Sequence, residues 1–78
     1  MDKDIEEAIA SRIDAIDVSV VTDGNRALIT VVSDEFAALN RVQKQQKVYA
    51  CIEDFIQDGR LHAVTIRALT PEEAGSDR

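Results

Sequence analysis

Apolar residues recur at helical spacing in two stretches of this chain and follow strand patterns in three others. Near the start, Ile5, Ala8, Ile9, Ile13 and Ile16 form a stripe at spacings of three and four, which predicts an amphipathic helix over Asp4 to Ile16. Asp2, Asp4, Glu6 and Glu7 put negative charge at the positive end of its dipole. Two β-branched runs follow, Val18 to Val21 and Ala27 to Val32, separated by Thr22-Asp23-Gly24-Asn25-Arg26. Asp-Gly between such runs predicts an antiparallel hairpin. The nearly unbroken apolar run from Leu28 to Val32 predicts a central strand with a neighbour on each edge.

Ser33 and Asp34 are good helix caps, so a short helical turn through Phe36-Ala37-Ala38-Leu39 is expected next, with Asn40 breaking it. A longer helix is expected to start near Gln43. Its apolar face is Val48, Cys51, Ile52, Phe55 and Ile56, and Gly59 supplies the left-handed residue that commonly ends such a helix. From Leu61 to Leu69 the period becomes two, with His62, Val64, Ile66 and Ala68 on one side and Leu61, Ala63, Thr65, Arg67 and Leu69 on the other. Thr70-Pro71-Glu72-Glu73 then reads as a capping box with proline in the first turn, opening a helical stub that frays from Gly75 onward.

The expected order is therefore helix, strand, strand, short helix, helix, strand: an α+β chain in which helices cover one face of a three-stranded sheet. If the last strand pairs with the second, the connection through the helix is a crossover, which favours parallel strands. Both strands then begin at the hairpin edge. On that condition His62, at the start of one strand, sits beside Asn25 and Arg26, at the start of the other, as a rim residue open to a partner.

Size and composition narrow this picture. Seventy-eight residues, 45% hydrophobic but only 4% aromatic, suit one small domain over residues 1–78 with an aliphatic core. One cysteine makes no internal disulfide, the opening Met-Asp-Lys-Asp is no apolar leader, and no apolar run approaches the roughly 20 residues that span a bilayer. A soluble, cytoplasmic protein without membrane association is expected. The net charge of -6 opposes nucleic-acid binding except where cations gather, and Arg41, Lys44 and Lys47 do gather, with no acid from Asn40 to Ile52. Helical spacing turns Cys51 toward the core and makes Tyr49 and Phe55 packing residues rather than a base-stacking platform. No Cys/His pair, glycine-rich phosphate loop or metal-binding cluster suggests an enzyme.

Four linked segments carry a resemblance: Val32-Ser33-Asp34-Glu35-Phe36, Asn40-Arg41-Val42 through Lys47-Val48-Tyr49, Leu61-His62-Ala63-Val64, and Thr70-Pro71-Glu72-Glu73. In this order and spacing the chain resembles the BolA-like family over essentially its whole length. Where that family often has an Arg-His-Arg run, Lys44-Gln45-Gln46 stands here, which is closer to the IbaG-like subgroup. The resemblance implies an αββααβ fold related to type II KH domains. It also implies partnership with a monothiol glutaredoxin and a shared [2Fe-2S] cluster, with His62 as a ligand and the remaining ligands from the glutaredoxin cysteine and glutathione. Arg26 and Arg60 join His62 as candidate partner-binding residues. Many relatives place a Cys or His in the first hairpin loop. Here Arg26 holds that position and cannot ligate iron, which leaves a glutathione carboxylate or an acidic partner group as its target, or an apo complex. The alternative implied by the family is a transcription regulator that meets nucleic acid through Arg41, Lys44 and Lys47, although the Gly-x-x-Gly loop of RNA-binding KH domains is missing.

Overall fold

The computed structural model describes residues 1–76. Gly75 and Ser76, expected to fray, instead continue the last helix, and the fraying expected at Asp77 and Arg78 lies outside the described residues. The elements are α1 (Asp2–Ala10), β1 (Asp17–Asp23), β2 (Arg26–Val32), a 3-10 helix (Asp34–Ala38), α2 (Arg41–Gln57), β3 (Ala63–Leu69) and α3 (Pro71–Ser76). The sheet order is β1-β2-β3, with β1 antiparallel and β3 parallel to β2. This is the predicted α+β order, with the short second helix in 3-10 form and the terminal stub a helix of six residues.

Alternation decides which side of the sheet is covered. Val20, Ala27, Ile29, Val31 and Ala68 are buried and join Ile5 and Ile9 of α1 with Val48, Cys51, Ile52 and Phe55 of α2 in one cluster. The opposite parity shows the other face: Val21, Leu28 and Thr65, aligned across the three strands, are all exposed. Burying aliphatic side chains of this kind stabilises the fold by about 1.5–3 kcal/mol each.

Four boundaries differ from the expectation, each for a physical reason. The first helix ends at Ala10 rather than Ile16. Ile13 is still buried, because a last helix-type bond from its N–H to the Ile9 carbonyl at 2.9 Å keeps it on the apolar stripe. Ile16 has left the stripe and is 63% exposed. Tertiary hydrogen bonds cause the departure. The Asp14 carbonyl accepts from buried Ser33 Oγ at 2.8 Å, and the Asp14 N–H donates to Glu35 Oε2 at 2.6 Å.

The hairpin is tighter than five residues, since Asp23 pairs with Arg26 and only Gly24 and Asn25 form the loop. Gly24 adopts φ +62°, a region glycine enters without steric cost. Asn40 does not merely end the short helix. It caps α2, its Oδ1 accepting from Gln43 N–H at 2.9 Å while Gln43 Oε1 accepts from Asn40 N–H at 3.0 Å, so α2 starts at Arg41. Finally, β3 starts at Ala63 rather than Leu61, because Leu61 turns into the core and is fully buried.

Glu35 ties three parts of the chain together. Besides Asp14 N–H it meets Lys47 Nζ at 3.0 Å. The Asp14 hydrogen bond, and then Lys47, hold its carboxyl below the usual carboxylate range. Glu73 is lowered likewise, first by Thr70 N–H and then by Lys44. A depressed carboxyl adds stability above its unfolded-state pKa and loses it as pH falls through the folded-state value. The urea midpoint should therefore decline as pH drops below about 4.3. Glu35→Gln, which cannot titrate, should flatten part of that decline relative to the parent chain. An unchanged slope would exclude Glu35 as a contributor.

Candidate functional site on the hairpin rim

The parallel pairing brings the starts of β2 and β3 to one edge, with Arg26 aligned to Ala63. The Asn25 carbonyl accepts from two successive N–H groups, His62 at 2.8 Å and Ala63 at 3.3 Å. His62 is thereby fixed by its backbone to the hairpin loop while its side chain stays exposed. The expected meeting of His62 with Asn25 and Arg26 is what the structure contains.

The approach from α2 is equally constrained. Gly59 ends that helix at φ +83°, a conformation that favours glycine. A Cβ there would lie 3.8 Å from His62 Nε2, an ordinary van der Waals distance, so the end of α2 and the imidazole are neighbours without crowding. Between them, Leu61 N–H donates to the Phe55 carbonyl at 2.9 Å, and the Leu61 side chain plugs the core beneath the rim.

The two flanking arginines behave differently. Arg26 is exposed and takes part in no ion pair among the described residues. Arg60 folds back on its own helix end: its Nε meets Asp58 Oδ2 at 2.7 Å and its guanidinium carbon lies 4.1 Å from the centre of the Phe55 ring. Of the predicted partner-binding trio, His62 and Arg26 present free heads. Arg60 is already engaged, although an exposed ion pair of this kind is worth only about 0–1 kcal/mol and yields easily to a competitor.

The basic cluster on α2 is also partly neutralised. Lys44 pairs with Glu73 and Lys47 with Glu35, both at 3.0 Å. Cys51 is buried, its thiol donating to the Lys47 carbonyl at 3.4 Å, and burial pushes its pKa up. It is a packing residue, as its spacing implied. Phe55 is buried too, whereas Tyr49 is 42% exposed rather than in the core.

The donor set fits a single contributed ligand and nothing larger. Among the described residues no group of three or more His, Cys, Asp or Glu side chains is gathered to hold a metal ion. His62 offers one imidazole, and the loop facing it supplies Arg26. Sequence reading missed the part of this rim that carries no side-chain signature, the Asn25 carbonyl that accepts from His62 and Ala63.

Among the described residues no helix is long and apolar enough to cross a membrane. The family model described as BolA-like protein matches residues 23–73. The acid stress protein IbaG of Escherichia coli strain K12 is 36% identical over 75 residues, covering 96% of this chain and 89% of that protein. Among solved structures, a bol-like protein from Babesia bovis superimposes with a TM-score of 0.86 at 22% identity, covering all of this chain and 94% of that one, a likeness of fold. The BolA domain of SufE1 from Arabidopsis thaliana gives 0.81 at 25% identity over 92% and 93% of the two chains. A matched segment that takes in the hairpin turn, α2, the His62 rim and the start of α3, together with a relative alike over nearly all of both chains, identifies this chain as a member of the BolA-like family.

Proposed function

We propose that this chain is a cytoplasmic adaptor, not an enzyme, that docks a monothiol glutaredoxin through the hairpin rim in iron-sulfur cluster and iron homeostasis. On this reading His62 contributes one ligand to a [2Fe-2S] cluster whose other ligands are the glutaredoxin cysteine and glutathione. The observation that carries it is an exposed imidazole whose backbone is locked to Asn25, so the ring is offered outward from a rigid base. When bound, such a cluster supplies redox and transfer chemistry, and histidine in place of thiolate changes its potential. This chain's own part is to orient the ring nitrogen and to present Arg26 for a bidentate grip on a carboxylate of glutathione or partner.

The regulator reading, nucleic-acid contact through Arg41, Lys44 and Lys47, has less support, since two of those three cations are paired within the chain. The name of the Escherichia coli relative ties that protein to acid stress. We extend a stress setting to this chain only as a context for the adaptor.

The test is an anaerobic titration with cluster-loaded monothiol glutaredoxin, read by visible circular dichroism. A saturable new spectrum at one-to-one ratio is expected, and His62→Ala should abolish it while leaving the far-ultraviolet spectrum unchanged. If His62→Ala gives the parent spectrum, His62 is not a ligand. If the parent chain neither changes the spectrum nor associates with the apo glutaredoxin, the docking proposal itself is lost.

A further inference from the structure

The outer edge of β3 is a second surface, distinct from the His62 rim. Backbone hydrogen-bonding groups on successive strand residues point to opposite edges. The Leu69 carbonyl accepts from Ser33 N–H, just past β2, at 3.0 Å, and Ala63 N–H donates to the Asn25 carbonyl, just before β2. Ala63, Thr65, Arg67 and Leu69 therefore face β2, and Val64, Ile66 and Ala68 turn their N–H and C=O groups outward. Among the described residues the strand order leaves no strand on that side. Gln45 of α2 reaches across to it, donating from Nε2 to the Ile66 carbonyl at 2.8 Å.

On each side of Gln45 the groove between α2 and β3 opens into a hollow. One, of about 310 Å³, is walled by Gln46, Tyr49, Glu53 and Ile66, and Tyr49 is the large exposed ring in it. The other, of about 380 Å³, is walled by Arg41, Lys44, Arg67 and Glu73 among others. Arg41 lies in the first turn of α2, where the helix dipole adds to its charge, and it takes part in no ion pair among the described residues. One end of the groove thus offers Tyr49 and Ile66 for apolar contact beside Glu53, and the other an excess of cations.

We propose that this edge receives, by strand addition, an extended segment of a partner protein with carboxylates at one end and aliphatic side chains at the other. The segment's backbone pairs with Val64, Ile66 and Ala68, its carboxylates meet Arg41, and an aliphatic side chain covers Tyr49 and Ile66. Gln45 acts as a latch, holding the Ile66 carbonyl until the segment displaces it. A second copy seated through its β1 edge is a poorer occupant. Its β1 edge is acidic, with Asp17 and Asp23 at its ends, but α1 packs on that strand, and joining β1 to β3 of the next copy gives an open row rather than a closed pair. A nucleic acid is poorer too, since its phosphates would have to run the length of the groove past Glu53, on a chain with net charge -6, whereas the segment brings its carboxylates to Arg41 alone.

The probes are two synthetic peptides matched to the seven residues of β3, Asp-Asp-Val-Thr-Val-Thr-Val and its reversed sequence, which cover both strand directions. They are titrated into isotope-labelled protein and followed by amide hydrogen exchange. One peptide is expected to bind saturably and slow exchange at Val64, Ile66 and Ala68, with Thr65 and Arg67 unchanged because they already face β2. Arg41→Glu, at an exposed position, should weaken binding about tenfold. Gln45→Ala should strengthen it about two- to tenfold, because one net hydrogen bond no longer competes. His62→Ala should leave it unaltered, which separates this surface from the glutaredoxin rim. The proposal falls if neither peptide protects these three amides, or if an oligothymidylate protects them where the peptides do not. It also falls if protection appears on raising the protein concentration alone, which would mean that a second copy is the occupant.

Discussion

Phe36→Ala is expected to remove about 3–5 kcal/mol of stability, the largest loss for any single truncation in this chain. Domains of this length are stable by only about 4–12 kcal/mol, so the variant should be partly unfolded at physiological temperature. Phe36 is fully buried and sits in the 3-10 helix joining β2 to α2. That connection is held at both ends by hydrogen bonds, Phe36 N–H to the Ser33 carbonyl at 3.3 Å and Leu39 N–H to the Phe36 carbonyl at 3.1 Å. The segment therefore cannot collapse inward to fill the void, and the cavity cost adds to the lost transfer energy. Ser33 tightens the constraint, its Oγ accepting from Glu35 N–H at 3.1 Å while donating to the Asp14 carbonyl. Urea unfolding followed by far-ultraviolet circular dichroism measures the loss. Tyr49→Ala, at a 42% exposed ring, is the control and should stay within about 0.5 kcal/mol of the parent. Equal losses for the two would mean that the junction is not the centre of the core.

What the sequence revealed and what it hid divide along one physical line. The buried face of α2 was legible because Val48, Cys51, Ile52 and Phe55 repeat at the period of the helix itself. The parallel pairing of β3 with β2 was legible because a helical crossover leaves few alternatives, and with it came the rim position of His62. The end of α1 was not. Ile13 and Ile16 continue the stripe, and only the hydrogen bonds from Asp14 to Ser33 and Glu35, 19 and 21 residues away, draw the chain off the helix. The pairing of the α2 cations was hidden for the same reason, since Lys44 finds its acid 29 residues away. Asn40 was ambiguous locally: asparagine both ends and starts helices, and the choice depended on the reciprocal bond from Gln43. Period and topology are written in the sequence, whereas pairings across distant segments emerge only once the chain has folded.

Leu61→Ala should cost about 2–5 kcal/mol and should also weaken the proposed glutaredoxin complex, although Leu61 is fully buried and has no surface to offer a partner. The reason lies in its place between Gly59 and His62. The chain leaves α2, is caught by the Leu61 N–H bond to the Phe55 carbonyl, sinks the Leu61 side chain into the core, and emerges with His62 N–H bonded to Asn25. Two backbone bonds and one buried side chain thus aim the imidazole. Truncating the side chain leaves both bonds possible but removes the anchor that holds them in register, so the ring samples more directions before it meets a partner. Order lost before binding must be restored on binding, which lowers affinity without removing any contact. Isothermal titration with the cluster-loaded glutaredoxin, at a temperature where the variant is still folded, separates the two effects. The expected result is weaker binding with a less favourable entropy and the same visible spectrum at saturation. His62→Ala, by contrast, should change the spectrum itself. If Leu61→Ala lowered stability but bound like the parent, the rim would be aimed by the Asn25 bond alone and Leu61 would serve the core only.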